Sequence, residues 1–214
     1  MLEEKFAHDK ISVQWTLRTA GGLTLGIGMA ALLTITLSWP GAFIGVPLAG
    51  MLLGIMQASY LKRFLAMGSE WLWATTLSVT IGIAAAYALL SISSGGMNFS
   101  LQRTDSVDFF IGSGIIFLLV LPLFGFIVGL GQWVFLRKHV AKAGYWILVN
   151  GAGYLIAVGL LIVMVLALAW ELPAVAFVLI LSGLPAYLAG LTLKSFLLKN
   201  RQEEDFSLRK FRLL

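Results

Sequence analysis

Long apolar runs separated by short polar breaks dominate the pattern of this 214-residue chain. Each run is about as long as the roughly 20 apolar residues that a helix needs to cross the hydrocarbon core of a bilayer. The pattern therefore predicts an all-α polytopic membrane protein with six transmembrane helices in a single transmembrane domain. The predicted spans lie at about residues 19–38, 42–61, 71–93, 109–136, 145–170 and 174–197.

Both ends of the chain lie outside these spans. Residues 1–18 mix charged and apolar side chains, which is typical of a segment on the membrane surface. Residues 199–214 alternate basic, acidic and apolar positions, a pattern that favours contact with anionic lipid or with a partner protein. Because 59% of the residues are hydrophobic and only 12% are charged, we expect no separate soluble domain.

The basic residues are distributed unevenly over the predicted breaks. When alternate breaks are placed on alternate sides of the membrane, every Lys and Arg except Arg103 falls on one side. By the positive-inside rule that side is the cytoplasm, so both termini are predicted to be cytoplasmic. The net charge of +5 gives no support to nucleic-acid binding, because basic residues beside apolar spans are what membrane topology itself requires.

The seven tryptophans fall near the ends of the predicted spans. Indole rings are enriched at membrane interfaces, where one edge is apolar and the other can reach water. We therefore interpret all of them as interfacial anchors. Those predicted at the outer boundary are Trp39 and Trp170; those at the inner boundary are Trp15, Trp71, Trp73, Trp133 and Trp146.

A sequence pattern recurs after 75 residues, which predicts three parallel-repeat helical hairpins. Pro47, Gly50, Gly54, Gln57, Leu61 and Trp71 recur as Pro122, Gly125, Gly129, Gln132, Leu136 and Trp146. In the last span, the same spacing aligns Ala186, Gly190, Leu193 and Leu197 with the two earlier copies, without the glutamine.

The small residues of this pattern share one face of their helices. Glycines four residues apart let a neighbouring backbone approach closely, which is a common way for helices to associate in lipid. We call Gly50, Gly54, Gly125, Gly129 and Gly190 the glycine stripe. The stripe predicts helix packing, and its partner is another helix of the chain, a second subunit or a flat lipid-like ligand.

Gln57 and Gln132 are the sharpest polar candidates inside the spans. An amide at this depth commonly forms a hydrogen bond across helices. The alternative is that both amides face one cleft and hold a ligand head group, and Asn150 could join such a site. The sequence leaves both possibilities open.

The predicted spans carry no ionisable residue at their centres, which disfavours proton relays and ion-driven pumps. The chain has no cysteine, and its histidines, His8 and His139, lie outside the spans. No nucleophile and base, acidic pair or metal-binding motif is present in a span. We therefore predict no enzyme activity, no metal and no cofactor.

The pattern G-x-x-x-G-x-x-Q-x-x-x-L-[KR]-[KR] followed by a tryptophan resembles tandem segments of uncharacterised bacterial multipass proteins, of the cyanobacterial and Chloroflexi type. It covers residues 45–82 and 120–157. The resemblance implies a bacterial cytoplasmic (inner) membrane and no particular activity. Mitochondrial carriers also have three hairpins, but their charged signature after the proline is missing because Pro47 is followed by Leu48 and Ala49.

Two functions remain open from the sequence. The first is a non-enzymatic accessory or scaffold subunit that packs through the glycine stripe with other membrane subunits and contacts membrane lipid, quinone or pigment. The alternative is a transport component for an uncharged or amphipathic solute. For the latter, six helices look similar to the substrate-binding subunit of energy-coupling-factor transporters, a likeness of architecture alone.

Overall fold

The computed structural model describes residues 2–65, 69–93, 107–167 and 174–212, and all regular structure within these ranges is helical. The helices are α1 (Leu2–Leu37), α2 (Trp39–Leu61), α3 (Ser69–Ser93), α4 (Val107–Leu136), α5 (Tyr145–Ala167) and α6 (Ala174–Arg212). Each contains a stretch that is long and apolar enough to cross a membrane. The predicted all-helical fold with six spans is thereby confirmed.

The first and last helices are longer than a bilayer requires. α1 has 36 residues and α6 has 39, whereas about 20 are enough to span. α1 runs without a break through the residues that we expected to form a separate surface segment, and α6 continues through most of the C-terminal tail. Within the described residues 2–18 and 199–212, the terminal segments are therefore helical continuations of α1 and α6.

Short turns join several of the helices. Ser38 has a φ of 56°, a left-handed conformation that ends α1, and Pro40 lies in the first turn of α2, where a missing N–H is tolerated. Lys142, also with a positive φ, lies in the turn between α4 and α5. Arg103 and Trp170, which the sequence places on the outer side, lie outside the described residues.

The six helices form a closed ring in chain order. Each helix packs antiparallel against the next one, and α6 returns to pack against α1. Within the described part of the chain, no other pair of helices is in backbone contact. This arrangement leaves an axis, and side chains from all three hairpins (α1–α2, α3–α4 and α5–α6) can meet there.

Charge is concentrated at one end of the ring. The C-terminal ends of α2 and α4 and the turns that follow them carry exposed Lys62, Arg63, Arg137, Lys138 and Lys142. We call this the basic end. Among the described residues, no Lys or Arg lies at the opposite end.

The glycine stripe packs against helices of this same chain. A Cβ added to Gly50 would lie 3.0 Å from the Thr76 backbone, and one added to Gly54 would lie 3.0 Å from the Leu72 carbonyl oxygen. On α4 and α6, the remaining stripe members meet the backbones of α5 and α1: Gly125 meets Asn150, Gly129 meets Ile147 and Gly190 meets Ser12. The partner of the glycine stripe is therefore another helix of the same chain, and not a second subunit or a lipid-like ligand.

Replacing a stripe glycine by leucine should destabilise the bundle. We expect Gly54→Leu to lower the free energy of unfolding by about 2 kcal/mol, because the side chain would push α3 away from α2. Gly28→Leu is the matched control, since a Cβ there meets nothing within 4 Å. The measurement is thermal unfolding in detergent micelles, and equal melting temperatures for the two variants would show that close packing at Gly54 is unimportant.

Candidate functional site at the bundle axis

Three tryptophans meet on the axis of the ring near the basic end. Trp15 comes from α1, Trp71 from α3 and Trp146 from α5, and each is at most 1% exposed. Their ring centroids are 5.7, 6.1 and 6.3 Å apart, with interplanar angles of 70–74°, the edge-to-face geometry that aromatic rings prefer. We call these residues the tryptophan triad.

Gln57 and Gln132 lie beside the triad, almost completely buried. Trp71 Nε1 donates a hydrogen bond of 3.1 Å to Gln57 Oε1, and Trp146 Nε1 donates one of 2.9 Å to Gln132 Oε1. An indole N–H can only donate. The carbonyl end of each glutamine must therefore face its tryptophan, which fixes the orientation of both amides.

The two amides also bond to each other and to neighbouring hydroxyl groups. Gln132 Nε2 donates to Gln57 Oε1 over 3.0 Å, so this oxygen accepts two hydrogen bonds. The nitrogen of Gln57 also donates to Thr19 Oγ1 (3.2 Å), and that of Gln132 to Thr75 Oγ1 (3.1 Å). Each hydroxyl belongs to the other helix of the glutamine's own hairpin, four residues after the triad tryptophan of that helix.

Asn150 occupies the matching position on α5, four residues after Trp146. Its Nδ2 donates to the Trp146 carbonyl oxygen one turn earlier, at 2.8 Å. The structure brings the three predicted polar residues together, since Gln57, Gln132 and Asn150 all line one small cavity on the axis. They reach it from three different helices, α2, α4 and α5.

The cavity has a volume of about 30 Å³. Its polar lining consists of Trp15, Thr19, Gln57, Gln132, Asn150, Tyr154 and Ser182, and apolar side chains from α1, α2, α4 and α6 complete it. A space of this size holds about two water molecules when polar partners are available.

Trp15 differs from the other two triad members. Its side chain is fully buried, and Nε1 is the one buried side-chain nitrogen or oxygen, among the described residues, that has no hydrogen-bond partner. Trp71 and Trp146 each donate a hydrogen bond to a glutamine, whereas no glutamine accepts one from Trp15. Desolvation of an unpaired N–H is costly, so this group marks an incomplete part of the network.

The sixth helix lies one helical turn away from the register that the sequence spacing predicts. Gly54 of α2 packs against Leu72, the residue directly after Trp71. The sequence spacing aligns Gly190 of α6 with Gly54, but Gly190 packs against Ser12, which lies three residues before Trp15. The two contacts differ by four positions, or about 6 Å along a helix.

Contacts within the hairpins lead to the same displacement. Gly22 of α1 lies seven residues after its triad tryptophan and packs against the Leu53 backbone. Gly153 of α5 lies seven residues after its own triad tryptophan and packs against the Pro185 backbone. Pro185 therefore corresponds to Leu53, although the sequence spacing would have paired Leu53 with the residue four positions later.

The displacement changes which residue replaces the glutamine in the third hairpin. Ala189, and not Leu193 as the spacing predicted, stands in the position of Gln57 and Gln132. Leu193 instead corresponds to Leu61 and Leu136 in the other two hairpins. This alignment is physically consistent because all three leucines are at most 1% exposed and belong to the core that surrounds the triad.

The interpretation of every tryptophan as an interfacial anchor is wrong for the triad. Trp15, Trp71 and Trp146 are buried at the axis, where their rings pack against one another and the indole N–H groups of Trp71 and Trp146 donate to glutamines. Trp39 and Trp73 are 64% and 57% exposed and do lie on the outer surface. The constant interval of 14 residues from Gln57 to Trp71 and from Gln132 to Trp146 could have singled out two of the three triad members, whereas Trp15 has no glutamine at this interval.

No group of three or more His, Asp or Glu side chains in the described residues is arranged to hold a metal ion. Comparison with family models, with curated proteins and with solved structures finds no match to this chain.

The direct bond between the amides leads to a prediction about coupling. We expect Gln57→Leu and Gln132→Leu each to lower the free energy of unfolding by about 1–3 kcal/mol, because each change leaves a buried indole N–H unpaired. The double variant should cost less than the sum of the single variants by about 0.5 kcal/mol or more, since both single changes remove the same amide–amide bond. Denaturation of all four proteins in one detergent tests this, and strict additivity would argue against the shared bond.

Proposed function

We propose that this protein is a non-enzymatic accessory or scaffold subunit of a larger membrane assembly. One observation carries the proposal: Gln57 and Gln132 are bonded to each other, to two of the triad tryptophans and to two threonines, and these bonds tie all three hairpins to one axis. A core that is bonded in this way favours one fixed arrangement of the helices over the helix movements that transport of a solute would require. The stripe glycines, whose partner the sequence leaves open, contact helices of the same chain, so partner subunits would use other surfaces.

Two surfaces are available for such partners. The outer wall of the ring carries many exposed apolar side chains, among them Ile35 at 81% and Phe43 at 79% exposure. In a bilayer this wall meets lipid tails, and it also suits a neighbouring subunit, a quinone or a pigment. The basic end offers Lys and Arg side chains to anionic head groups or to an acidic partner.

We also propose that the protein resides in the bacterial cytoplasmic membrane with its basic end, and hence both termini, in the cytoplasm. The clustering of exposed Lys and Arg side chains at one end of the ring supports this orientation through the positive-inside rule. The bacterial origin rests on the resemblance of the tandem glycine and glutamine segments.

A transport component for an uncharged or amphipathic solute is the second candidate, because the axis holds a cavity with polar side chains from five helices. The cavity volume of about 30 Å³ is small for a transported solute, so transport would require the helices to separate. The accessory role needs no such movement, and for this reason we place it first.

Site-specific photo-crosslinking tests the accessory role. A benzophenone amino acid in place of Phe43 on the outer wall should link the protein to a partner of defined mass in the native membrane. The same substitution at Phe196, which is 9% exposed, is the matched control and should give no intermolecular product. Mass spectrometry identifies the adduct.

The same preparations separate the two candidate functions. A partner in fixed ratio after extraction into nanodiscs supports the accessory role. Recovery of an isolated monomer, with lipid adducts alone at Phe43, would contradict it. An isolated monomer that retains a stoichiometric small solute would support transport instead.

Single-cysteine labelling tests the proposed orientation. The natural chain has no cysteine, so each introduced thiol is the only one present. In intact cells, we expect a membrane-impermeant maleimide to label Ser38→Cys and to leave Ala141→Cys at the basic end unlabelled until the cells are opened. The reverse pattern would invert the topology.

A further inference from the structure

The third hairpin lacks a glutamine at the axis, and the groups that would have bonded to it are still present. In the first two hairpins the amide oxygen accepts from the tryptophan of the next hairpin. The amide nitrogen donates to a side chain of the glutamine's own hairpin. At the third position these two partners are Trp15 and Asn150, and Ala189 occupies the position of the glutamine.

Both partners face the same space. Trp15, Asn150 and Ala189 all line the cavity on the axis. The Trp15 N–H is fully buried and, among the described residues, without a partner. The Nδ2 of Asn150 is engaged with its own helix, so Oδ1 remains as the acceptor that matches the hydroxyls of Thr19 and Thr75.

The size of the cavity fits a small molecule. The cavity has a volume of about 30 Å³ and is lined in part by Ala189, whose side chain is shorter than the glutamines at the equivalent positions. A polar cavity of this volume holds about two water molecules, which is also the space of a simple amide group. The geometry thus combines one strong donor, one acceptor and room for two or three heavy atoms.

We propose that this cavity is a binding site for a small uncharged molecule that takes the place of the missing glutamine amide. The ligand accepts a hydrogen bond from Trp15 Nε1 and donates one to Asn150. Water is the smallest molecule with this chemistry, and a simple primary amide is the next. The proposal is independent of the accessory role, because the ligand completes the axis whether or not another subunit binds.

An NMR experiment on the unmodified protein tests the site directly. The protein is labelled with ¹⁵N at the tryptophan indoles and placed in deuterated detergent, and the Trp15 signal is identified by its absence in Trp15→Phe. We expect a nuclear Overhauser effect between the Trp15 indole proton and water. Titration with formamide should shift the Trp15 signal, while the signals of Trp71 and Trp146 stay in place because glutamines occupy their donors.

The outcomes distinguish the two ligands and the absence of any ligand. A water contact that formamide does not alter identifies a water site. A saturable formamide shift identifies a site for amide-like molecules. A Trp15 indole that shows neither effect overturns the proposal, since its N–H would then be unpaired in a dry cavity.

Substitution of Ala189 provides an independent test. Ala189→Gln supplies the amide from the chain itself, so it should abolish both the water contact and the formamide shift and raise the melting temperature. Ala189→Leu is the control of similar size without polar atoms. It should remove the ligand effects but melt below Ala189→Gln, because the Trp15 N–H loses its ligand without gaining an acceptor.

Trp71, whose N–H donates to a glutamine, serves as the control for Trp15 in a third test. If a ligand accepts from Trp15, Trp15→Phe should lower the melting temperature about as much as Trp71→Phe, since each change removes a hydrogen bond that is made. If Trp15→Phe is neutral or stabilising while Trp71→Phe is destabilising, the Trp15 donor was unpaired and the site is not used.

Discussion

The hydrogen bond from a buried indole N–H to a buried glutamine oxygen is the interaction on which the arrangement of this bundle depends. It occurs twice, and the two glutamines are linked by a third bond, so one network connects α2, α3, α4 and α5 and reaches α1 through Thr19. In an apolar environment these groups have few alternative partners. The network therefore specifies which faces of the helices turn inward.

Close helix packing is what allows this network to form. Hydrogen bonds of about 3 Å between side chains on different helices require backbones that approach closely, and the stripe glycines provide that approach between α2 and α3 and between α4 and α5. Between α6 and α1, the one-turn displacement of α6 puts Ala186 in the position that Gly54 and Gly129 hold in the other two hairpins. The glycine stripe and the axial network are thus two parts of one packing solution.

The third hairpin departs from the other two in a coordinated way. Ala189 replaces a glutamine, Asn150 replaces a threonine, and a cavity lies where the missing side chain would be. Trp15 nevertheless keeps its place in the triad, with edge-to-face contacts to both other rings. Packing of the aromatic rings therefore holds the third position together, whereas the Trp15 N–H has no hydrogen-bond partner among the described residues.

The sequence by itself determined the number of spanning helices and the clustering of basic residues at one end, because the length, hydropathy and charge of each segment are local properties. It also singled out Gln57, Gln132 and the stripe glycines. Only the tertiary structure decided that Trp15, Trp71 and Trp146 meet at the axis, and that α6 is displaced by one turn so that Ala189 faces them. The physical reason is that lipid and protein interior are both apolar, so hydrophobic periodicity does not mark the inward face of a membrane helix. That face is chosen by polar partners on other helices, and their positions exist only once the ring has closed.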